Sequence, residues 1–303
     1  LSDDGQRRAL DGVLVVDKPG GLTSHDVVAA TRRALGESRI GHTGTLDPMA
    51  TGVLPLALGR ATRLVRFLSA SDKDYTASIR FGITTDSYDA TGREISRTEV
   101  APPEDAIAAA IRALTGVYLQ QPPPFSAKKV GGRRAYALAR MEQPVALQPV
   151  EVRVDRAQLV GLEGPLARVE ICCSAGFYVR AFAHALGELT GAGACLAGLR
   201  RTRSGQFTLT GAVTLDILAD RPRTTEAIVR LEHLLPRLPA VHLTERGVAS
   251  ITVGRDVSEE DYAPEPASPI AEWTRLLAPS GALVALGTPG RSRGALHPSI
   301  VLI

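Results

Sequence analysis

Gly41-His42-Thr43-Gly44-Thr45-Leu46-Asp47-Pro48-Met49-Ala50-Thr51-Gly52-Val53-Leu54 surrounds one carboxylate with turn-forming residues and little else that can do chemistry. Asp47 is therefore the candidate reacting group. Gly41, Gly44 and Gly52 open backbone conformations closed to other residues, and Asp47-Pro48 fixes a turn, so the loop is expected to hold Asp47 beside a bulky ligand. An Asp-Pro pair taken alone is far more often a helix N-cap followed by proline at the first helical position. The rest of the chain has to decide between the two readings.

Working outward, Val13 to Val16 reads as a buried strand ending in the turn Lys18-Pro19-Gly20-Gly21. A helix is expected next, with Ser24 as N-cap, a stripe of Val27, Val28, Thr31 and Leu35, and Gly36 as its stop. Beyond the Asp47 loop, Val53 to Leu58 reads as a strand and Thr62 to Leu68 as a short helix carrying arginines at three-residue spacing. Tyr75, Ala77, Ile79 and Phe81 alternate with polar residues, the period of a half-buried strand. A helix over Pro103 to Thr115 closed by Gly116, two strands around Val150 to Val160 and Val169 to Cys173, and a helix over Tyr178 to Thr190 with a stripe of Phe182, Ala183, Leu186 and Leu189 follow. Several successive strands are joined by loops too short for parallel crossovers, so the expected fold is mixed α/β (α+β) on a largely antiparallel sheet. Residues 1–236 are expected to form this domain, and 237–303, with their own short strands and an acidic segment from Asp256 to Pro269, a second, smaller one.

At 303 residues and 44% hydrophobic content, the chain is long enough to bury a sizeable core. It has no apolar run near the roughly eighteen residues that span a bilayer, and its first residues lack the order of a signal peptide. The expected location is cytoplasmic. Cys172, Cys173 and Cys195 form neither an even framework nor a CxxC pair, which argues against structural disulfides and a zinc site. No GxxxxGK[ST], GxSxG or HExxH occurs, so nucleotide hydrolysis, serine hydrolysis and zinc catalysis lack their parts. Nor does the Asp47 loop hold the second carboxylate of a two-metal nuclease or a paired-acid glycosidase.

The net charge of +3 does not by itself announce a nucleic-acid binder; residues 237–303 carry −1 and the rest +4. The basic residues cluster, however, as Arg32-Arg33, as Arg60, Arg63 and Arg66, as Lys128-Lys129 with Arg133-Arg134, and as Arg200, Arg201 and Arg203. Each cluster reads as a solvated face or, if several share one side, as part of a phosphate track.

Four strings in order, Asp17 to Val28, Gly41 to Leu54, Cys173 to Arg180 and Gly198 to Phe207, resemble the motifs of the TruB family of tRNA pseudouridine synthases. The resemblance covers residues 12 to about 207 and touches the C-terminal part only loosely, where the family carries a β-rich PUA-type module. It implies an isomerase that converts uridine 55 in the T-loop of tRNA to pseudouridine, with Asp47 catalytic. By position, Arg180 would pair with Asp47, Tyr178 would line the pocket, Leu199 would pack on the target base and Tyr75 would stack on the extruded uracil. His42 would fill space vacated when the RNA loop opens, and Lys18-Pro19 would buttress the catalytic loop. An arginine beside a buried aspartate holds it ionised and orients its oxygens.

The reaction breaks an N-glycosidic bond, turns the base and forms a carbon–carbon bond without net redox change, so no cofactor or metal is expected. The partner is the tRNA T-arm, with no membrane or obligate protein partner, and a monomer is expected. Attack at the sugar, attack at C6 and proton abstraction at C2′ remain open. Two rivals stand beside this reading: a guide-RNA-dependent synthase, and an RNA-binding folding helper whose Asp47 loop is only structural.

Overall fold

The computed structural model describes residues 10–99, 101–125, 147–263 and 271–303, and the backbone of 129–130 and 133–134. The side chains of the Lys128 to Arg134 cluster and Glu265 lie outside the described residues.

In chain order, β1 (Gly12–Lys18) and α1 (Ser24–Leu35) precede β2 (Ile40–His42) and β3 (Thr51–Leu58), which flank the Asp47 loop. A 3-10 turn at Gly59–Leu64 runs into α2 (Val65–Ser69), then β4 (Lys73–Phe81), a hairpin of β5 (Ile83–Thr85) and β6 (Glu94–Arg97), α3 (Glu104–Ala113) and β7 (Gly116–Gln120). Short β8 (Lys129–Val130) and β9 (Arg133–Arg134) are followed by the long hairpin of β10 (Val150–Glu163) and β11 (Leu166–Cys173), α4 (Val179–Thr190), β12 (Ala194–Ser204), β13 (Phe207–Thr208), α5 (Arg221–Glu226) and β14 (Val229–Arg230). The remainder is β15 (Ala240–His242), α6 (Glu245–Thr252), β16 (Thr274–Leu277), β17 (Leu283–Pro289) and β18 (Leu296–Val301).

The main sheet runs β14-β1-β3-β12-β4-β11-β10-β7, with β2 beside β3 and β13 beside β12. It is antiparallel, as expected, except where β12 meets β3 in parallel at Arg200↔Thr51 and Arg201↔Gly52. That join lies directly after the Asp47 loop. A second sheet, β15-β16-β17-β18, makes the C-terminal part β-rich.

β1 shows why the main sheet has two covered sides. Leu14 and Val16 face one core with residues of α1, α3 and α4, whereas Val13 and Val15 face another that includes Leu64, Phe207 and, from the second sheet, Leu277, Leu283, Leu286 and Leu302. An uninterrupted apolar run is what a strand buried on both faces needs.

Several local expectations change. Thr23, not Ser24, caps α1: its side chain accepts from the Asp26 amide while the Asp26 carboxylate accepts from the Thr23 amide, a capping box. Gly36 stops the helix in the left-handed conformation as read. Gly116, expected to close α3, opens β7. Leu189 is 56% exposed although it continues the α4 stripe: the helix is pressed onto β12 at Gly187, where a Cβ would fall 2.1 Å from Ala194 N, and a residue two positions on points to roughly the opposite side of the helix. The three cysteines are free, Cys173 and Cys195 buried and Cys172 half-buried.

Candidate active site

The Asp47 loop is held by side chains from three separate elements. Pro48 and Met49 form the corner of a turn closed by the Ala50 amide on the Asp47 carbonyl, 3.0 Å. From β1, Lys18 buries its ammonium and donates to the carbonyls of Pro48 (3.2 Å), Pro19 (2.8 Å) and Leu22 (2.6 Å), so it sits beneath the loop as a buttress. Burial lowers its pKa, opposed by the charge of Asp47. Freed from capping, Ser24 on α1 accepts from the Leu46 amide at 2.8 Å and donates to the Leu46 carbonyl at 3.2 Å. From β12, Arg201 donates to the carbonyls of Val53 (2.7 Å), Gly44 (3.1 Å) and Thr45 (3.5 Å). Of the three loop glycines only Gly52 has a positive φ, +101°.

Arg180, in the first turn of α4, faces the loop. Its Nε lies 2.9 Å from Asp47 Oδ2 and its Nη2 3.3 Å from Oδ1, a two-pronged pairing that fixes both carboxylate oxygens. The remaining donors meet the carbonyls of Phe125 (2.8 Å) and Ser87 (3.1 Å), and Asp89 Oδ2 lies 3.7 Å from Nη1. Arg180 is buried, while the side chain of Asp47 keeps 34% exposure, open enough to meet a ligand.

A cavity of about 130 Å³ opens here, lined by Asp47, Tyr75, Phe177, Tyr178, Arg180 and Leu199 among others. Five of the six predicted site residues thus meet around one space. The pleat explains two of them: Leu199 is the register partner of Ala77, and Tyr75 lies two residues before Ala77, so both project from the same face. Burial raises the pKa of the Tyr75 phenol, opposed by the charge of Arg201. His42 stands on β2, half-buried, opposite Leu56, and does not line the cavity.

Asp89 and Gln120 were not singled out from sequence. Asp89 Oδ1 accepts from Ser87 Oγ (2.9 Å), Thr91 N (3.0 Å) and Thr91 Oγ1 (2.6 Å), leaving Oδ2 toward Arg180. Its turn is pinned where Tyr88, at φ +65°, stacks on His184 of α4 with centroids 3.8 Å apart. The string Thr85-Asp86-Ser87-Tyr88-Asp89-Ala90-Thr91-Gly92 signals a turn, yet local pattern does not choose between its two aspartates. Gln120, 4% exposed, accepts from the Tyr178 amide at 2.8 Å and donates to the Tyr178 carbonyl at 3.0 Å, acting as a peptide surrogate at the start of α4.

The clustered arginines, read as solvated faces or as part of a phosphate track, are largely engaged elsewhere. Arg201 is 1% exposed. Arg200 pairs with Asp17 at 2.7 Å, Arg203 with Asp74 at 2.7 Å and Arg60 with Asp11 at 2.7 Å, while Arg63 donates to the Val301 carbonyl and Arg32 to that of Ile40. Register puts Asp74 opposite Arg203, and tertiary packing brings carboxylates or carbonyls to the other guanidinium groups, pairings invisible in the sequence clusters.

Among the described residues no helix is long and apolar enough to cross a membrane. Residues 32–179 match the TruB family pseudouridylate synthase N-terminal domain, and residues 180–237 match the tRNA pseudouridylate synthase B C-terminal domain. The second sheet lies beyond both matched segments. The chain is 44% identical over 297 residues to the tRNA pseudouridine synthase B of Solibacter usitatus, covering 97% of this chain and 100% of that protein. It is likewise 44% identical to the protein of the same name from Cutibacterium acnes, over 96% and 98% of the two chains. An archaeal box H/ACA sRNP Nop10-Cbf5 complex aligns with a TM-score of 0.75 and 27% identity, covering 97% of this chain and 87% of that one. An H/ACA RNP bound to a substrate RNA containing 2′-deoxyuridine aligns with a TM-score of 0.76 and 26% identity, over 97% and 86%. With matches of this extent and a paired aspartate in a small cavity between two tyrosines, the chain belongs to the TruB family of pseudouridylate synthases, isomerases of uridine.

Proposed function

We propose that this protein isomerises uridine 55 in the T-loop of tRNA, with Asp47 as the reacting carboxylate. The observation that carries the reading is the pairing of Asp47 with buried Arg180 at 2.9 Å on the wall of a cavity shared with Tyr75, Tyr178 and Leu199. Such a space suits one unstacked base. A ring stacked on a tyrosine gains about 1–3 kcal/mol, which offsets the few kcal/mol needed to extrude a nucleotide. The detached base has to stay clamped while it turns, and the two tyrosines and the leucine provide that clamp. Preorganised charge beside the reacting carbons is where such a site lowers its barrier. His42 takes a supporting part outside the cavity as the RNA loop opens. Residues 1–236 serve as the catalytic domain and 237–303 as a PUA-like module.

Transfer RNA as substrate is supported by relatives of nearly full length that bear the name tRNA pseudouridine synthase B. Purified protein should therefore modify bare tRNA, whereas a guide-dependent synthase would not. Asp47→Asn keeps shape and removes charge, so it should bind tRNA about as well as the parent and form no measurable pseudouridine. Near-parental turnover would reject Asp47 as the reacting group, and a parent that binds tRNA without forming product would favour the folding helper.

A further inference from the structure

We propose that Arg201 is a positioning residue for the reaction, fixing the Asp47 loop relative to Tyr75 and so to the base between them; this rests on the function proposed above. Arg201 is 1% exposed, out of reach of phosphate. It grips the chain on both sides of Asp47, at the carbonyls of Gly44 and Thr45 before it and of Val53 after it. Arg201 and Tyr75 are register partners across β12 and β4, and the guanidinium sits close enough to the phenol to oppose the burial that raises its pKa.

A buried guanidinium costs free energy unless its donors are all used, and no carboxylate lies within ion-pair distance of Arg201 among the described residues. Its planar fork instead spends them on one loop, beside one ring. The loop holds the proposed reacting oxygens and the ring holds the base, so their separation is set through a single rigid plane. Lysine would keep the charge and lose the fork. A displacement near 1 Å of a reacting group costs on the order of 100-fold in rate.

Four proteins decide the matter: the parent, Arg201→Lys, Tyr75→Phe and the double variant. Each is measured for single-turnover pseudouridine formation on tRNA, tRNA affinity against salt, and folding by circular dichroism. Arg201→Lys should slow the chemical step by about 100-fold, with affinity within about threefold and the salt slope unchanged. Tyr75→Phe, which removes only the hydroxyl, should slow the parent by about threefold to tenfold and the lysine variant no further. Parent-like turnover of Arg201→Lys would overturn the proposal. So would slowing that multiplies in the double variant, or weaker binding with a salt slope lower by about one, the signature of a phosphate contact. Should Arg201→Lys fail to fold, Tyr75→Phe still decides, since a parental rate there removes the link. A parent that forms no pseudouridine on tRNA would instead count against the function itself.

Discussion

Gly52 lies flat against the backbone of Arg201. The two are register partners in the parallel ladder that joins β3 to β12, and a Cβ on Gly52 would fall 2.2 Å from the Arg201 carbonyl oxygen. With φ at +101°, the position is closed to side chains twice over, by conformation and by contact. The chain leaves the Asp47 loop at this point, so the contact that joins the two strands also sets where the loop ends.

Gly52→Ala should therefore cost about 2–4 kcal/mol, from the strained φ together with the clash against backbone that cannot rotate away. Urea unfolding should show a lower midpoint at unchanged slope. A midpoint equal to the parent's would mean that β3 and β12 separate at little cost.

Arg180→Met should act on turnover more than on tRNA affinity, lowering the rate by at least ~100-fold through lost orientation of Asp47. It should also lower stability by about 3–5 kcal/mol, because Asp89, 5% exposed, loses the nearby guanidinium. Single-turnover kinetics and urea titration of the same preparation read both. If weaker binding at low salt were the whole effect, Arg180 would be a phosphate contact.

Burial lowers the Lys73 pKa to about 8, against an ordinary value of 10.5. Between those values the unfolded chain still holds a proton that the folded protein has released, so stability rises with pH across the window; below it the cost of burying the ammonium is present in full. Burial pushes the Cys173 thiol up, which works in the opposite direction at alkaline pH, so the informative quantity is the parent compared with Lys73→Met. That difference should move in the parent's favour by about 1–3 kcal/mol from pH 7 to 10. A flat difference would mean that the carbonyls of Ser69 and Ser71, which accept from Lys73, compensate for its burial.

Trp273, the single tryptophan, meets Phe67 of α2 edge-on with centroids 4.9 Å apart, and Arg66 lies over both rings. Its fluorescence therefore reports the join between the second sheet and the main domain. Because Leu277, Leu283, Leu286 and Leu302 share a core with Val13, Val15 and Val53, unfolding followed by Trp273 and by far-ultraviolet circular dichroism should coincide. A chain ending at Pro236 should lose about 1.5–3 kcal/mol for each buried leucine removed and melt well below the parent. Two separated transitions, or a truncated chain as stable as the whole, would show that the shared core contributes little.

Much of this protein is set by short-range sequence. The apolar run Val13 to Val16 makes a strand buried on both faces, the alternation from Tyr75 to Phe81 makes one that turns its ring toward the site, and Gly36 stops α1. These follow from local periodicity and from a backbone conformation few residues tolerate. The pairing of Asp47 with Arg180, 133 residues apart, was legible only because two strings resembled known motifs; no pattern around either residue states it. Tertiary structure alone decided that Arg201 is buried while Arg200 beside it stays half-open on Asp17, since adjacent strand residues point to opposite faces. It alone chose Asp89 over Asp86 to face Arg180, and brought Gln120 onto Tyr178. Propensity is fixed by neighbours a few residues away, whereas the fate of a charged or polar side chain is fixed by whichever donors and acceptors strand register carries to it from the far end of the chain.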